Sequence, residues 1–200
     1  MRKAERGKNR GFTLVELVVV ITVLGMLMAI LIPQLLGYID KSKTEAEYAA
    51  GENCRVAAQA KLEALQYLGT EPDFNSKGNH ASAADIDEWH KAFAEPVLEM
   101  AGQEVRNLFI ATGKYGHYKE TADIGPAYRV YFVVYQRSED SPVVYYDGKE
   151  WSDKSPWGGM QESAQIGGDT VVLQYFCLKC ETDAAHSTPG MVFTALLGGN

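Results

Sequence analysis

Basic charge is scarce over most of this chain, and where it occurs it is concentrated. The 200 residues carry 19 Lys and Arg against 26 Asp and Glu, a formal charge of -7. Five of the basic residues, Arg2, Lys3, Arg6, Lys8 and Arg10, stand in the first eleven positions against a single acid, Glu5. Taking the +4 of that stretch from -7 leaves -11 on the rest. So acidic a remainder offers no basic stripe to follow a phosphate backbone, which argues against nucleic acid as a partner.

Cysteine is sparse too. Cys54, Cys177 and Cys180 are an odd number and too few for a disulfide scaffold, so they leave the redox compartment open. The Cys177-x-x-Cys180 spacing fits a disulfide, plain thiols, a redox site or half a zinc site. A redox site calls for a helix N-terminus after the first cysteine, whereas Cys177 sits at the end of a β-like run from Val171 to Leu178. A zinc site calls for further ligands, and only His117 and His186 offer themselves. A structural disulfide or buried thiols is the expectation for the pair, and a core thiol for Cys54.

Other catalytic signatures are missing. There is no Ser-His-Asp order, no zinc-protease helix motif and no phosphate-binding glycine loop. Gly158-Gly159 and Gly167-Gly168 read as turns, and His80, His90, His117 and His186 are scattered. No enzyme activity, cofactor or metal is expected. Internal repeats and low-complexity tracts are also absent.

What the chain does have is one long apolar run. From Phe12 to Ile32 only Thr13, Glu16, Thr22 and Gly25 are not plainly apolar. As a helix rising about 1.5 Å per residue, this stretch covers roughly 30 Å, the hydrocarbon thickness of a bilayer. The basic cluster before it would stay in the cytoplasm, placing everything after Pro33 outside. A secretory signal peptide has a shorter apolar stretch and a small-residue cleavage site at its far end, and Ile30-Leu31-Ile32-Pro33-Gln34 supplies none. An ordinary anchor explains length and flanking charge but has no use for Glu16, because a carboxylate at bilayer depth costs on the order of a few kcal/mol.

The order of residues separates these readings. Lys8-Asn9-Arg10-Gly11-Phe12-Thr13-Leu14-Val15-Glu16-Leu17 resembles the processing motif of type IV prepilins and pseudopilins: a basic leader ending in Gly, then Phe, Thr, Leu, a variable residue and Glu. Gly25 and Pro33 stand where that family usually carries a glycine and a helix-bending proline. The resemblance covers about the first forty residues. It implies that a prepilin peptidase cuts after Gly11 and methylates the new amino terminus at Phe12. Glu16 would then pair with such an amine across a subunit boundary and set register. The family's subunits wait in the cytoplasmic membrane with the head outside. An assembly ATPase and platform protein then build them into a helical filament, a cell-surface pilus or a type II secretion-like pseudopilus. Pro33 would remove a backbone hydrogen bond and bend the rod.

Past Pro33 the pattern stays helical to Leu68, with Leu35, Ile39, Ala46, Ala50, Ala57, Ala60, Ala64 and Leu68 as its apolar stripe. Gly69 to Asp73 ends it. A capping box at Asp85-Ile86-Asp87-Glu88 opens a helix through Trp89 and Phe93, with a continuation after Pro96 from Leu98 to Ile110. Strands follow at Tyr128 to Tyr135 and Val143 to Tyr146, the latter meeting Asp147-Gly148 in a type I′ hairpin signal. Runs at Thr170 to Leu178 and Met191 to Leu197 complete an antiparallel sheet of four or five strands.

The expected fold is α+β: a long N-terminal helix, half transmembrane and half amphipathic, packed on an antiparallel sheet head as in pilins. The expected division is a cleaved leader (1–11), a transmembrane helix (12–33), its amphipathic continuation (34–68) and a head (69–200). Asp153-Lys154-Ser155-Pro156-Trp157-Gly158 weakly resembles the Asp-Pro-Trp-Gly loop of secretion pseudopilins, near which calcium binds. Ser155 replaces the acid before proline, and too few oxygen ligands are at hand for a calcium site. The competing functional reading is a membrane-anchored ectodomain using Cys177 and Cys180 for metal or redox chemistry.

Overall fold

The computed structural model describes residues 12–72, 90–159, 161–181 and 189–198. It divides into two compact units, Met1–Lys43 and Thr44–Asn200. Helix α1, Leu14–Tyr67, is a single 54-residue α-helix with Pro33 inside it. The large apolar side chains from Leu14 to Leu36 are each 46% or more exposed. A helix that is apolar all round takes its stability from lipid or from other helices rather than from a core of its own.

In the second unit, α1 buries Glu47, Ala50, Gly51, Cys54, Ala57, Ala58, Leu62 and Leu65. This face differs from the expected stripe: Ala50 and Ala57 belong to both, but Ala60, Ala64 and Leu68 are exposed. The steps of three and four that connect the buried residues follow 3.6 residues per turn and carry the face to Leu62 and Leu65. Each buried leucine is worth about 1.5–3 kcal/mol, which alanines at 60 and 64 could not supply.

Polar bonds fix the register of this helix on the sheet. Gln59 acts like a strand residue: its Nε2 donates to Tyr128 O at 3.2 Å and its Oε1 accepts from Val130 N at 2.9 Å. Arg137 pairs with the buried Glu47 at 3.2 Å. Trp151 Nε1 donates to Glu52 Oε2 at 3.0 Å.

Among the described residues the head sheet has six strands: β1 (Asn107–Gly113), β2 (Val130–Gln136), β3 (Val144–Tyr146), β4 (Trp151–Ser152), β5 (Ser163–Ile166) and β6 (Asp169–Cys180). They lie in the order β4-β3-β2-β1-β6-β5, every neighbouring pair antiparallel. The α+β, pilin-like architecture is therefore present, with more strands than four or five. Before the sheet, one π-helical turn (His90–Ala94) leads into α2 (Glu95–Ala101). Between β1 and β2 come a one-turn helix, α3 (Tyr115–Tyr118), and a 3-10 turn (Gly125–Tyr128).

Three local expectations are corrected. No helix runs from Leu98 to Ile110, because α2 stops at Ala101, where Gly102 adopts φ 61° and donates to Leu98 O. Glycine is suited to that left-handed cap. Asn107 to Gly113 instead forms β1, buried at every position between β2 and β6. Burial on both faces erases the alternation by which a strand is read.

Met191 to Leu197 is likewise not a strand. Pro189–Leu196 forms helix α4, whose Val192, Phe193 and Leu196 lie on one helical face together with Leu197 just beyond its end. That face packs on the side of the sheet away from α1, with Phe193 against Phe109 (4.8 Å between ring centroids) and Tyr175 (5.4 Å). Tyr145 OH donates to Leu196 O.

The β3–β4 hairpin exists, but its connection is four residues long, Asp147 to Glu150. Only Gly148 there has positive φ, whereas type I′ needs two such residues. Asp147 Oδ1 closes the turn by accepting from Lys149 N and Glu150 N. The positive-φ pair is found instead at Gly167 and Gly168, between β5 and β6. The expected capping box at Asp85 to Glu88 lies outside the described residues.

Candidate functional site

The start of α1 is a set of reciprocal hydrogen bonds. Thr13 N donates to Glu16 Oε2 at 2.8 Å and Thr13 Oγ1 to the same oxygen at 2.7 Å, while Glu16 N donates to Thr13 Oγ1 at 3.3 Å. Leu17 N reaches Thr13 O at 3.2 Å. Thr13 is thus the N-cap and Glu16 the third helical residue of a capping box, and the box satisfies backbone donors that the first turn leaves free.

This gives Glu16 a partner within its own chain. The carboxylate also lies near the positive end of the helix dipole, which favours it. Both bonds fall on Oε2, and among the described residues nothing donates to Oε1. One oxygen therefore closes the turn, and the other accepts no bond from the described residues. The box is legible as Thr13-Leu14-Val15-Glu16, a threonine three residues before a glutamate at the head of an apolar run. Gly11 lies outside the described residues. Phe12 is 87% exposed and precedes the first helical residue.

Further along, Thr22 Oγ1 returns its hydrogen bond to Val18 O at 2.7 Å, so this hydroxyl presents no unmet polarity to an apolar surrounding. Gly25 has nothing within 4 Å of the position a Cβ would take. Pro33, inside the helix, cannot donate the backbone bond of its turn.

The head's candidates fall on opposite sides of the sheet. Cys54 is fully buried on the sheet-facing side of α1, and burial pushes its thiol up to about 12. Cys177 and Cys180 are half-buried free thiols beside α4. His117 stacks edge-on against Tyr118, and His80 and His186 lie outside the described residues. In the loop after β4, Trp157 packs edge-on against Phe132 at 4.5 Å, and Ser155 Oγ donates to Trp157 O. Among the described residues no three or more His, Cys, Asp or Glu side chains are grouped to hold a metal ion.

Two open clefts, about 430 and 680 Å³, meet at Arg129 and Tyr131. The Arg129 guanidinium caps the Tyr131 ring at 5.8 Å.

Comparison with known proteins agrees with the helix start. Residues 6–32 match the sequence model of the prokaryotic N-terminal methylation motif. No solved structure matches the chain. Among the described residues, α1 is the one helix long and apolar enough to cross a membrane. The matched segment runs from the basic residues through Glu16 to the end of the apolar stretch, so this chain carries the prepilin-type cleavage and methylation signature at its amino end.

Proposed function

We propose that this chain is the precursor of a structural subunit of a type IV pilus or of a type II secretion-like pseudopilus. One observation carries the reading: the methylation motif at residues 6–32 takes in the start of an exposed apolar helix, from Leu14, whose first turn holds a carboxylate. Residues 1–11 are then a leader that orients the chain and is removed by a prepilin peptidase cutting after Gly11. The same enzyme methylates the amine of Phe12. Residues 12–33 hold the subunit in the cytoplasmic membrane, 34–68 continue the helix, and 69–200 form the head outside.

Assembly follows from the same chemistry. The apolar helices leave lipid and pack on one another, driven by the assembly ATPase and platform protein. The Phe12 amine of one subunit meets the open Oε1 of another's Glu16. Such a pair in an apolar surrounding is strongly directional, and losing one member leaves a buried charge uncompensated. The contact is head-to-tail and does not close, so repetition gives a fibre on the cell surface.

Mass spectrometry of the chain recovered from its native host tests this directly. A product beginning at methylated Phe12 is expected. An intact Met1 terminus, or cleavage beyond Ile32, would overturn the proposal.

A further inference from the structure

Cys177 and Cys180 form a pair of nucleophilic side chains that the filament reading leaves unused. In a regular strand, residues three apart point to opposite faces. Strand β6 is not regular here: Phe109 pairs with Cys177 but Leu108 pairs with Lys179, so Leu178 and Lys179 together oppose one residue of β1. This bulge adds one residue and brings both cysteines to the same side. Both pack against the cluster of Phe109, Val134, Tyr145 and Phe193 under α4.

The two thiols are also joined. Hydrogen bonding with Cys177 holds the Cys180 thiol below its usual range. Hydrogen bonding with Cys180, followed by burial, pushes the Cys177 thiol up. Cys180 is half-buried, within reach of a reagent from solvent. Cys54 has no part in this, because it is fully buried in the other cluster, between α1 and the opposite face of the sheet.

We propose that Cys177 and Cys180 close into a disulfide by exchange with an external disulfide, and that Cys54 remains a thiol. The Cys180 thiolate attacks one sulfur of the external R–S–S–R, forms a mixed disulfide and expels RS⁻. The Cys177 thiol gives its proton to that thiolate, and its sulfur attacks the Cys180 sulfur. The internal bond forms and the second RS⁻ leaves, taking up the proton first lost by Cys180. Two protein thiols are oxidised and one external disulfide is reduced to two thiols. The bond would fix the bulge at the point where β6 ends and the chain runs on to α4. None of this depends on the filament reading.

The test is to equilibrate the full chain in detergent with oxidised and reduced glutathione, denature it under acid quench, alkylate it and digest it with trypsin. Lys179 lies between the cysteines, so cleavage there separates them unless a disulfide joins the two peptides. The expected result is that joined pair, lighter by two hydrogens than its reduced halves, with alkylation at Cys54 alone. Cys54→Ala should leave the joined pair unchanged, and Cys177→Ser should trap a glutathione adduct on Cys180. Three alkylated cysteines under oxidising conditions, a lasting adduct on the native pair, or a cross-link to Cys54 would each overturn the proposal.

Discussion

The indole of Trp151 occupies the space that a side chain on Gly51 would need: a Cβ there would lie 2.5 Å from Cη2 and 2.7 Å from Cζ3. The ring has little freedom to retreat, because its Nε1 is bonded to Glu52 and its face lies 5.5 Å from the Tyr146 ring centroid. Gly51→Ala therefore sets two effects against each other. Alanine gains about 1 kcal/mol of helix propensity. Overpacking costs about 1–3 kcal/mol. A net loss of stability is expected in the native background and a net gain when Trp151→Ala opens the space. Urea unfolding followed by circular dichroism reads both. Stabilisation by Gly51→Ala with Trp151 intact would show that the contact does not constrain the helix.

The same corner has an acid-sensitive ion pair. Hydrogen bonds from Arg55, at 2.8 and 2.6 Å, and then from Trp151 hold the Glu52 carboxyl below its ordinary value of 4.5. A carboxyl depressed in the folded state stabilises the fold above its unfolded pKa, and that contribution fades as pH falls through the folded pKa. Head stability should therefore decline below about pH 4–5. Glu52→Gln keeps an acceptor for Trp151 and removes the charge. It should cost roughly 0.2–1 kcal/mol at neutral pH, since the pair is partly exposed. It should also flatten the acid limb of a melting-temperature-against-pH curve, and an unchanged limb would remove Glu52 from the account.

At the helix start, glutamine and alanine separate two roles of Glu16. Glu16→Gln preserves the capping box with Thr13 and deletes the charge, while Glu16→Ala deletes both. Both variants should be processed at Gly11 and retained in the membrane. If the charge sets register, neither should appear in filaments sheared from cells. Normal filaments from Glu16→Gln would reduce the residue to a helix cap.

Legibility in the sequence followed the physics of each segment. The signature at the amino end was plain because a motif of fixed order and an apolar run of bilayer length each demand particular residues at particular places, and residues 6–32 supply them. The strands around Tyr131 and Tyr175, β2 and β6, were plain because aromatic and β-branched residues cluster in them. Strand β1 was hidden by its central position, since Leu108 and Phe109 are both buried and no polar face marks the pleat. The short apolar run before Leu197 was ambiguous for a related reason: a few apolar residues between turns fit a strand or one face of a helix. The Cys177-x-x-Cys180 spacing was legible, but that both cysteines share one side of the sheet was not, because the bulge that unites them depends on how Leu108 pairs across the sheet.

If the proposed cut after Gly11 is made, the capping box stays whole among the described residues, because its bonds involve only residues 13, 16 and 17. The cut would also set a new cation beside the positive end of a helix dipole, an arrangement that is unfavourable on its own. A free subunit would thus carry an electrostatically frustrated tip, and contact with another subunit's carboxylate would relieve it.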